Sequence, residues 1–157
     1  MGLMGMVGRS IVGLLPLAPR FIVRWVAKRY MAGESLEQAL EVMKRISSEG
    51  ACFTVDVLGE EISTLAETSF FIEEYERVLD AIVSNGIDAN ISIKPTAFGL
   101  LIDQVAAIDN IERIVRRAAE NEIFVRLDME DSRVTQPTID ALFSIHERGM
   151  TNIGLVI

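Results

Sequence analysis

The sequence predicts an α/β fold, a (β/α)8 TIM-type barrel of which this chain supplies N-terminal helices and about four βα units. Three observations lead there. Four short apolar runs begin at residues 51, 89, 122 and 152, 30 to 40 residues apart, with helical periodicity in each gap; that is the spacing of βαβ units in a parallel sheet. Within the runs, apolar and polar residues alternate. An open doubly wound sheet covers both faces with helices and favours continuous apolar strands, so alternation points to a barrel with a polar lumen. Charged residues also stand at the C-terminal ends of successive runs, the end that carries chemistry in barrel enzymes. A whole barrel takes ~250 residues, so four strands make half of one.

The elements follow in order. Residues 1–34 form an expected N-terminal helical segment, and 35–157 the first half of the barrel. Within "SIVGLLPLAPRFIVRWVAKRY", Pro16, Arg20 and Arg24 interrupt the apolar run, leaving nothing near the ~20 residues of a spanning helix. With no A-x-A cleavage site, export is not indicated either. A surface-lying or core-packing helix is expected instead. Ser35 and Gln38 have capping-box spacing, followed by Leu36, Ala39, Leu40 and Met43 at helical intervals. Gly50 precedes the strand "ACFTVDV". Thr64 and Glu67 form a second capping box before a helix with Phe71, Tyr75, Val78, Leu79 and Ile82 on one face. Gly86 is its expected C-terminal cap. The strand "ANISIK" is followed by a helix over about 102–120, and "EIFVRLD" is the third strand. The next helix, about 136–148, shows Ile139, Leu142, Phe143 and His146 on one face; Gly149 ends it and "NIGLVI" is the last strand.

The net charge of −8 argues against a nucleic-acid partner, because phosphate binding needs a basic surface. It leaves a membrane surface open, since Arg20, Arg24, Lys28 and Arg29 cluster beside apolar residues. Cys52 is the single cysteine. It makes neither an internal disulfide nor a CxxC metal site, which implies a reducing cytoplasm and a thiol packed in core or lumen.

The stretch "RLDMEDS", residues 126–132, sets Arg126, Asp128, Glu130 and Asp131 directly after Ile123, Phe124 and Val125. Period-two parity places Val125 and Leu127 on one face, with Phe124, Arg126 and Asp128 on the other. The same parity opposes Ile91 and Ile93 to Asn90, Ser92 and Lys94, and Phe53, Val55 and Val57 to Thr54 and Asp56. One strand-end carboxylate is usually a loop or capping group. Asp56, Lys94 and Asp128 in register on one strand face point to a shared site.

"DVLGE" (56–60), "SIKPTAFGL" (92–100) and "RLDMEDS" (126–132) resemble three ordered signatures of proline dehydrogenase, and "RYMAGESLEQAL" (29–40) resembles the helical segment ahead of its first strand. The likeness runs from about residue 29 to the end. It is to the N-terminal half of the monofunctional bacterial enzymes, or of the corresponding domain of the bifunctional proline utilisation protein. The resemblance implies a flavin-dependent barrel that oxidises L-proline to 1-pyrroline-5-carboxylate and passes electrons to quinone. It implies FAD as cofactor, held in the barrel without a GxGxxG fingerprint, and a cytoplasmic protein in peripheral contact with the inner membrane. Lys94 would supply a cation for the proline carboxylate. Asp128 would be the active-site residue orienting the polar network. Met129, Val156 and Ile157 would lie against the flavin. Glu60 resembles the carboxylate that pairs with a substrate-binding arginine to gate the pocket, with Asp56 and Arg126 alongside. No metal ligand set is implied, and His146, on a helix face, takes no catalytic role.

The chain departs from the family by stopping at Ile157. The resemblance then implies that about half the barrel lies in a longer protein or a second polypeptide. Two other readings fit the residues. One is a Schiff-base aldolase-type barrel with Lys94 as nucleophile and Asp56 or Asp128 in proton transfer. The other is a non-catalytic barrel fragment that binds a partner through its sheet edges.

Overall fold

A computed structural model describes residues 35–156, with Pro19, Ala32 and Gly33. The N-terminal segment expected over 1–34 therefore lies almost wholly outside the described residues, as does Ile157. The chain divides into two compact units, 1–42 and 43–157. The second contains the sheet.

Helix α1 spans Leu36–Ser48 and crosses that division. Strand β1 (Phe53–Asp56) is followed by a 3-10 turn, Leu65–Glu67, and helix α2 (Thr68–Ser84). Then come β2 (Ala89–Ile93), a second 3-10 turn over Pro95–Phe98, α3 (Gln104–Ala119), β3 (Val125–Asp128), α4 (Thr135–Glu147) and β4 (Ile153–Val156). The four strands are parallel in the order β1-β2-β3-β4. Each strand thus lies beside its sequence neighbour, with no reversal of the kind that marks a doubly wound sheet.

The expected strand parity holds. Ile91, Ile93, Val125 and Leu127 are fully buried on one face, against Ile111, Ile114, Val115 and Ala118 of α3 and Tyr75, Leu79 and Ile82 of α2 in the core. The register sets Asp56 opposite Ser92, Ser92 opposite Arg126, and Arg126 opposite Gly154. These residues share the other, wetter face. Gly154 lies under its neighbour: a Cβ there would stand 3.0 Å from the Phe124 ring, which would have to shift to admit a larger residue.

The four described helices all end in the same way. The N–H groups of Ala51, Ile87, Ile123 and Met150 reach back to the carbonyls of Ile46, Ile82, Ala118 and Ile145, with a left-handed residue just before each donor. This is the Schellman closure, and it lets the chain leave a helix and enter the next strand across four or five residues. Glycine fills the left-handed position at 50, 86 and 149; at the third it is Glu122, at φ +57°.

The outer helices are joined by ion pairs. Arg113 meets Glu76 and Arg117 meets Asp80 between α3 and α2, both at 2.8 Å, while Arg148 reaches Asp109 at 2.8 Å and Glu112 at 2.5 Å.

Three expectations need correction. The buried face of α4 is Thr138, Ala141 and Ile145, and Phe143 is 60 % exposed; the more apolar stripe was the wrong guide because burial here falls on smaller residues. Cys52 is exposed just ahead of β1, not packed in the core or lumen. The Thr64–Glu67 box forms, with the Glu67 carboxylate accepting both the N–H and the hydroxyl of Thr64 at 2.9 Å, but it caps the 3-10 turn that leads into α2. At the other expected box, the Gln38 N–H approaches the Ser35 hydroxyl at 3.5 Å, and the Ala39 N–H donates to the Ser35 carbonyl at 3.0 Å.

Candidate active site

Strand-end residues on the wet face converge into a ring of polar contacts. Lys94 immediately follows β2 and precedes Pro95, which holds it extended, at φ −96° and ψ 114°. Its ammonium donates to Asp56 Oδ2 at 2.6 Å and lies 3.8 Å from Asp128 Oδ2. The Ser92 hydroxyl donates to the other oxygen of Asp128. The Ser92 carbonyl in turn accepts the Tyr75 hydroxyl at 2.7 Å, and that hydroxyl also lies 3.0 Å from Asp56 Oδ1. The ring therefore runs Asp56–Lys94–Asp128–Ser92–Tyr75 and back to Asp56.

Two carboxylates share one cation here. Partial burial works to lower the Lys94 pKa, but the hydrogen bond and charge of Asp56, with the charges of Asp128 and Glu60, outweigh it; the net shift is upward. The ammonium is a fixed cation. Burial first, then the Asp56 charge, pushes the Tyr75 phenol far up, so it remains a hydroxyl.

A second layer knits the three loops that follow the strands. The Glu130 carboxylate accepts the Thr96 N–H at 2.9 Å and the Thr96 hydroxyl at 2.5 Å, which caps the turn after β2. The Thr96 hydroxyl oxygen accepts the Glu61 N–H at 3.1 Å. Burial pushes the Glu130 carboxyl up against these two bonds, and the nearby Glu60 charge adds to it. Arg133 pairs with Asp131 and with Glu61, joining the loop after β3 to the loop after β1.

The four charges of "RLDMEDS" thus separate. Asp128 enters the ring and Glu130 holds Thr96. Asp131 turns the chain into α4, accepting the Arg133 N–H at 2.7 Å. Arg126, half-buried on the wet face, joins none of these bonds among the described residues. Glu60 is exposed and acts on Lys94 only through its charge; it is Glu61 that makes the loop-to-loop ion pair. Met129 is half-buried, and Val156, opposite Asp128 in register, is 40 % exposed. His146 bonds the Ile153 carbonyl through Nε2 at 3.2 Å, on the outer layer. No group of three His, Cys, Asp or Glu residues among those described could hold a metal.

Sequence reasoning missed Tyr75, Ser92 and Thr96 as site residues. Tyr75 reads as one more core position of α2, and nothing in the pattern shows its hydroxyl reaching between two strands. Ser92 carried a usable signal, since it is a small polar residue on the same face as Lys94.

The sequence profile described as "Proline dehydrogenase" matches residues 39–157. The chain belongs to that family. It is similar to "Proline dehydrogenase 1" of Bacillus subtilis (strain 168), 28% identical over 144 residues, covering 92% of this chain and 47% of that protein. It is 29% identical over 136 residues to "Proline dehydrogenase" of Deinococcus radiodurans, covering 84% of this chain and 44% of the relative. The crystal structure of proline utilization A (PutA) from Bdellovibrio bacteriovorus, inactivated by N-propargylglycine, superposes with a TM-score of 0.74 at 22% identity, over 99% of this chain and 18% of that one. That likeness shows the fold, a TIM-type barrel of which this chain carries four strands. The chain spans about half the length of these two curated proline dehydrogenases. No described helix is long and apolar enough to cross a membrane.

Proposed function

We propose that this chain serves the oxidation of L-proline to 1-pyrroline-5-carboxylate, with FAD as cofactor and quinone as electron acceptor, in a cytoplasmic protein that meets the inner membrane peripherally. The observation that carries this reading is the Asp56–Lys94–Asp128 ring at the strand ends, built from the three segments that resemble the family's signatures. Family membership supports the reaction class.

The residues fit a flavin on one observation. Val156 stands exposed on the wet face beside Asp128, with Met129 next in the chain, so an apolar surface borders the polar ring. Met129, Val156 and Ile157 would hold the ring system of FAD, which when bound accepts the hydride leaving proline.

The chain's own residues bind and orient. Lys94 offers a cation to the proline carboxylate and stays protonated because Asp56 and Asp128 flank it. Asp128, braced by Ser92, orients the ammonium from the opposite side to Asp56. The ring as it stands carries more carboxylate than cation, so a substrate carboxylate needs further positive charge. Arg126, on the same face and without a partner among the described residues, and arginines outside this chain would supply it. Glu60 would be the gating carboxylate, with Asp56 alongside.

The aldolase reading is disfavoured on physical grounds. A Schiff-base lysine needs a lowered pKa, and Lys94 is shifted the other way. The test is direct. Record the flavin spectrum of the purified protein anaerobically and add L-proline. Bleaching of the flavin band supports the reading. A protein that stays oxidised with proline, or in which borohydride traps a carbonyl substrate on Lys94 while leaving the exposed Lys44 unlabelled, overturns it.

A further inference from the structure

We propose that Tyr75 is a positioning residue for the Lys94 site: its hydroxyl replaces a hydrogen bond of the β1–β2 ladder and fixes the Asp56 carboxylate that aims the ammonium. This rests on reading Lys94 as the cation for the substrate carboxylate.

The geometry is specific. Asp56 and Ser92 are the last registered pair of β1 and β2. The next N–H along β1 belongs to Val57, and it donates to the Tyr75 hydroxyl oxygen at 3.2 Å, while that hydroxyl lies 2.7 Å from the Ser92 carbonyl. One oxygen thus stands between an N–H of one strand and a carbonyl of its neighbour, where a parallel ladder closes the gap directly. The strands part at this rung. Asp56 Oδ1 is 3.0 Å from the same hydroxyl, whose single proton is shared between that oxygen and the Ser92 carbonyl, and the other Asp56 oxygen receives Lys94.

Tyr75 is anchored well enough to do this. It is 1 % exposed, and its ring packs against the buried Phe98 with centroids 5.7 Å apart. It reaches the strand ends from α2, on the buried side of the sheet, while Lys94 and Asp128 are on the wet side. A core helix is thereby coupled to the orientation of a site cation. The phenol's raised pKa keeps its proton in place across the working range.

Tyr75→Phe keeps the ring and removes only the hydroxyl. The chain has three lysines, of which Lys44 is an exposed reference on α1. Reductive methylation by formaldehyde and a borohydride, read by mass spectrometry, reports how freely each amine is presented. Tyr75→Phe is expected to raise methylation of Lys94 severalfold and leave Lys44 unchanged. Asp56→Ala should do the same, and adding Tyr75→Phe to it should give no further rise, because the hydroxyl acts through that carboxylate. In protein that oxidises proline, Tyr75→Phe should raise KM for L-proline roughly two- to tenfold, the size of one neutral hydrogen bond, with kcat changed less. Unchanged Lys94 labelling overturns the proposal. So does a parallel rise at Lys44, or loss of the far-UV spectrum, either of which makes Tyr75 a packing residue only. If the parent protein does not respond to proline, the functional reading falls, and the labelling still decides the role of Tyr75.

Discussion

Two networks of charge lie on opposite sides of the same sheet, and they are built on different rules. On α2, on α3 and at the end of α4 each arginine meets carboxylates of its own or a neighbouring helix. Most of these side chains are well exposed, up to 61% at Asp109, and only Glu112 is as covered as 14%. Such pairs carry little free energy, because water already solvates the separated charges. At the strand ends, Asp56 and Asp128 share Lys94 alone, with its side chain 19% exposed. The outer network comes close to balance, five arginines against six carboxylates, and ties the helices together. The inner one is left unbalanced in favour of carboxylate, and unbalanced polar groups brought together by separate strands are the usual mark of a site.

The two networks differ most at Lys94. Lys94→Met removes the shared cation, and a charge-assisted hydrogen bond is worth roughly 1.5–3 kcal/mol. Proline efficiency should fall about ten- to a hundredfold, while the flavin stays bound. Unchanged kinetics with proline would take Lys94 out of the site. Asp128→Asn comes next. It keeps the shape but halves the carboxylate frame around the ammonium, so stopped-flow flavin reduction should slow by about tenfold, one charged contact's worth, with FAD content retained. Reduction at the parental rate would make Asp128 a structural strand end.

The outer layer should respond in the opposite sense. Glu122 occupies the left-handed position that glycine fills in the other three helix endings. Glu122→Gly should stabilise the chain by about 1 kcal/mol, read as a higher urea midpoint at constant slope. Arg113→Gln should have the smallest effect, less than about 1 kcal/mol and vanishing in high salt; a larger, salt-independent loss would mean the outer network does more than tie the helices together. Titration sharpens the contrast. Lys94 has a folded pKa raised above its unfolded value, so its stabilising contribution is complete below the ordinary lysine value and is lost as pH climbs through the raised one. Glu112 on the outside is lowered, by Arg148 and then Arg116. Its contribution is complete above the ordinary carboxylate value and is lost as pH falls through the lowered one. Inner and outer networks should therefore fail at opposite ends of a denaturation-versus-pH profile.

Much of this architecture was written locally. Helix endings depend on one residue with access to left-handed φ, so Gly50, Gly86 and Gly149 were readable, and Glu122 was missed because glutamate carries no such signal. Strand parity depends only on the pleat, so the wet-face positions of Asp56, Lys94, Arg126 and Asp128 were readable before any contact was known. The buried face of α4 was misread. Its burial is set by the neighbouring α3 and the sheet, which leave Phe143 outside and enclose Thr138, Ala141 and Ile145.

The amino-acid sequence by itself determined the parallel βα order, the strand faces and the three strand-end charges, because each follows from spacing of a few residues along one element. Only the tertiary structure decided which charges meet. It paired Lys94 with Asp56 more tightly than with Asp128, gave the loop bridge to Glu61 in place of Glu60, and brought the Tyr75 hydroxyl between Val57 and Ser92. Those partners lie 17 to 72 residues apart in the chain, and contacts at that range are fixed by packing between elements, which no local pattern records.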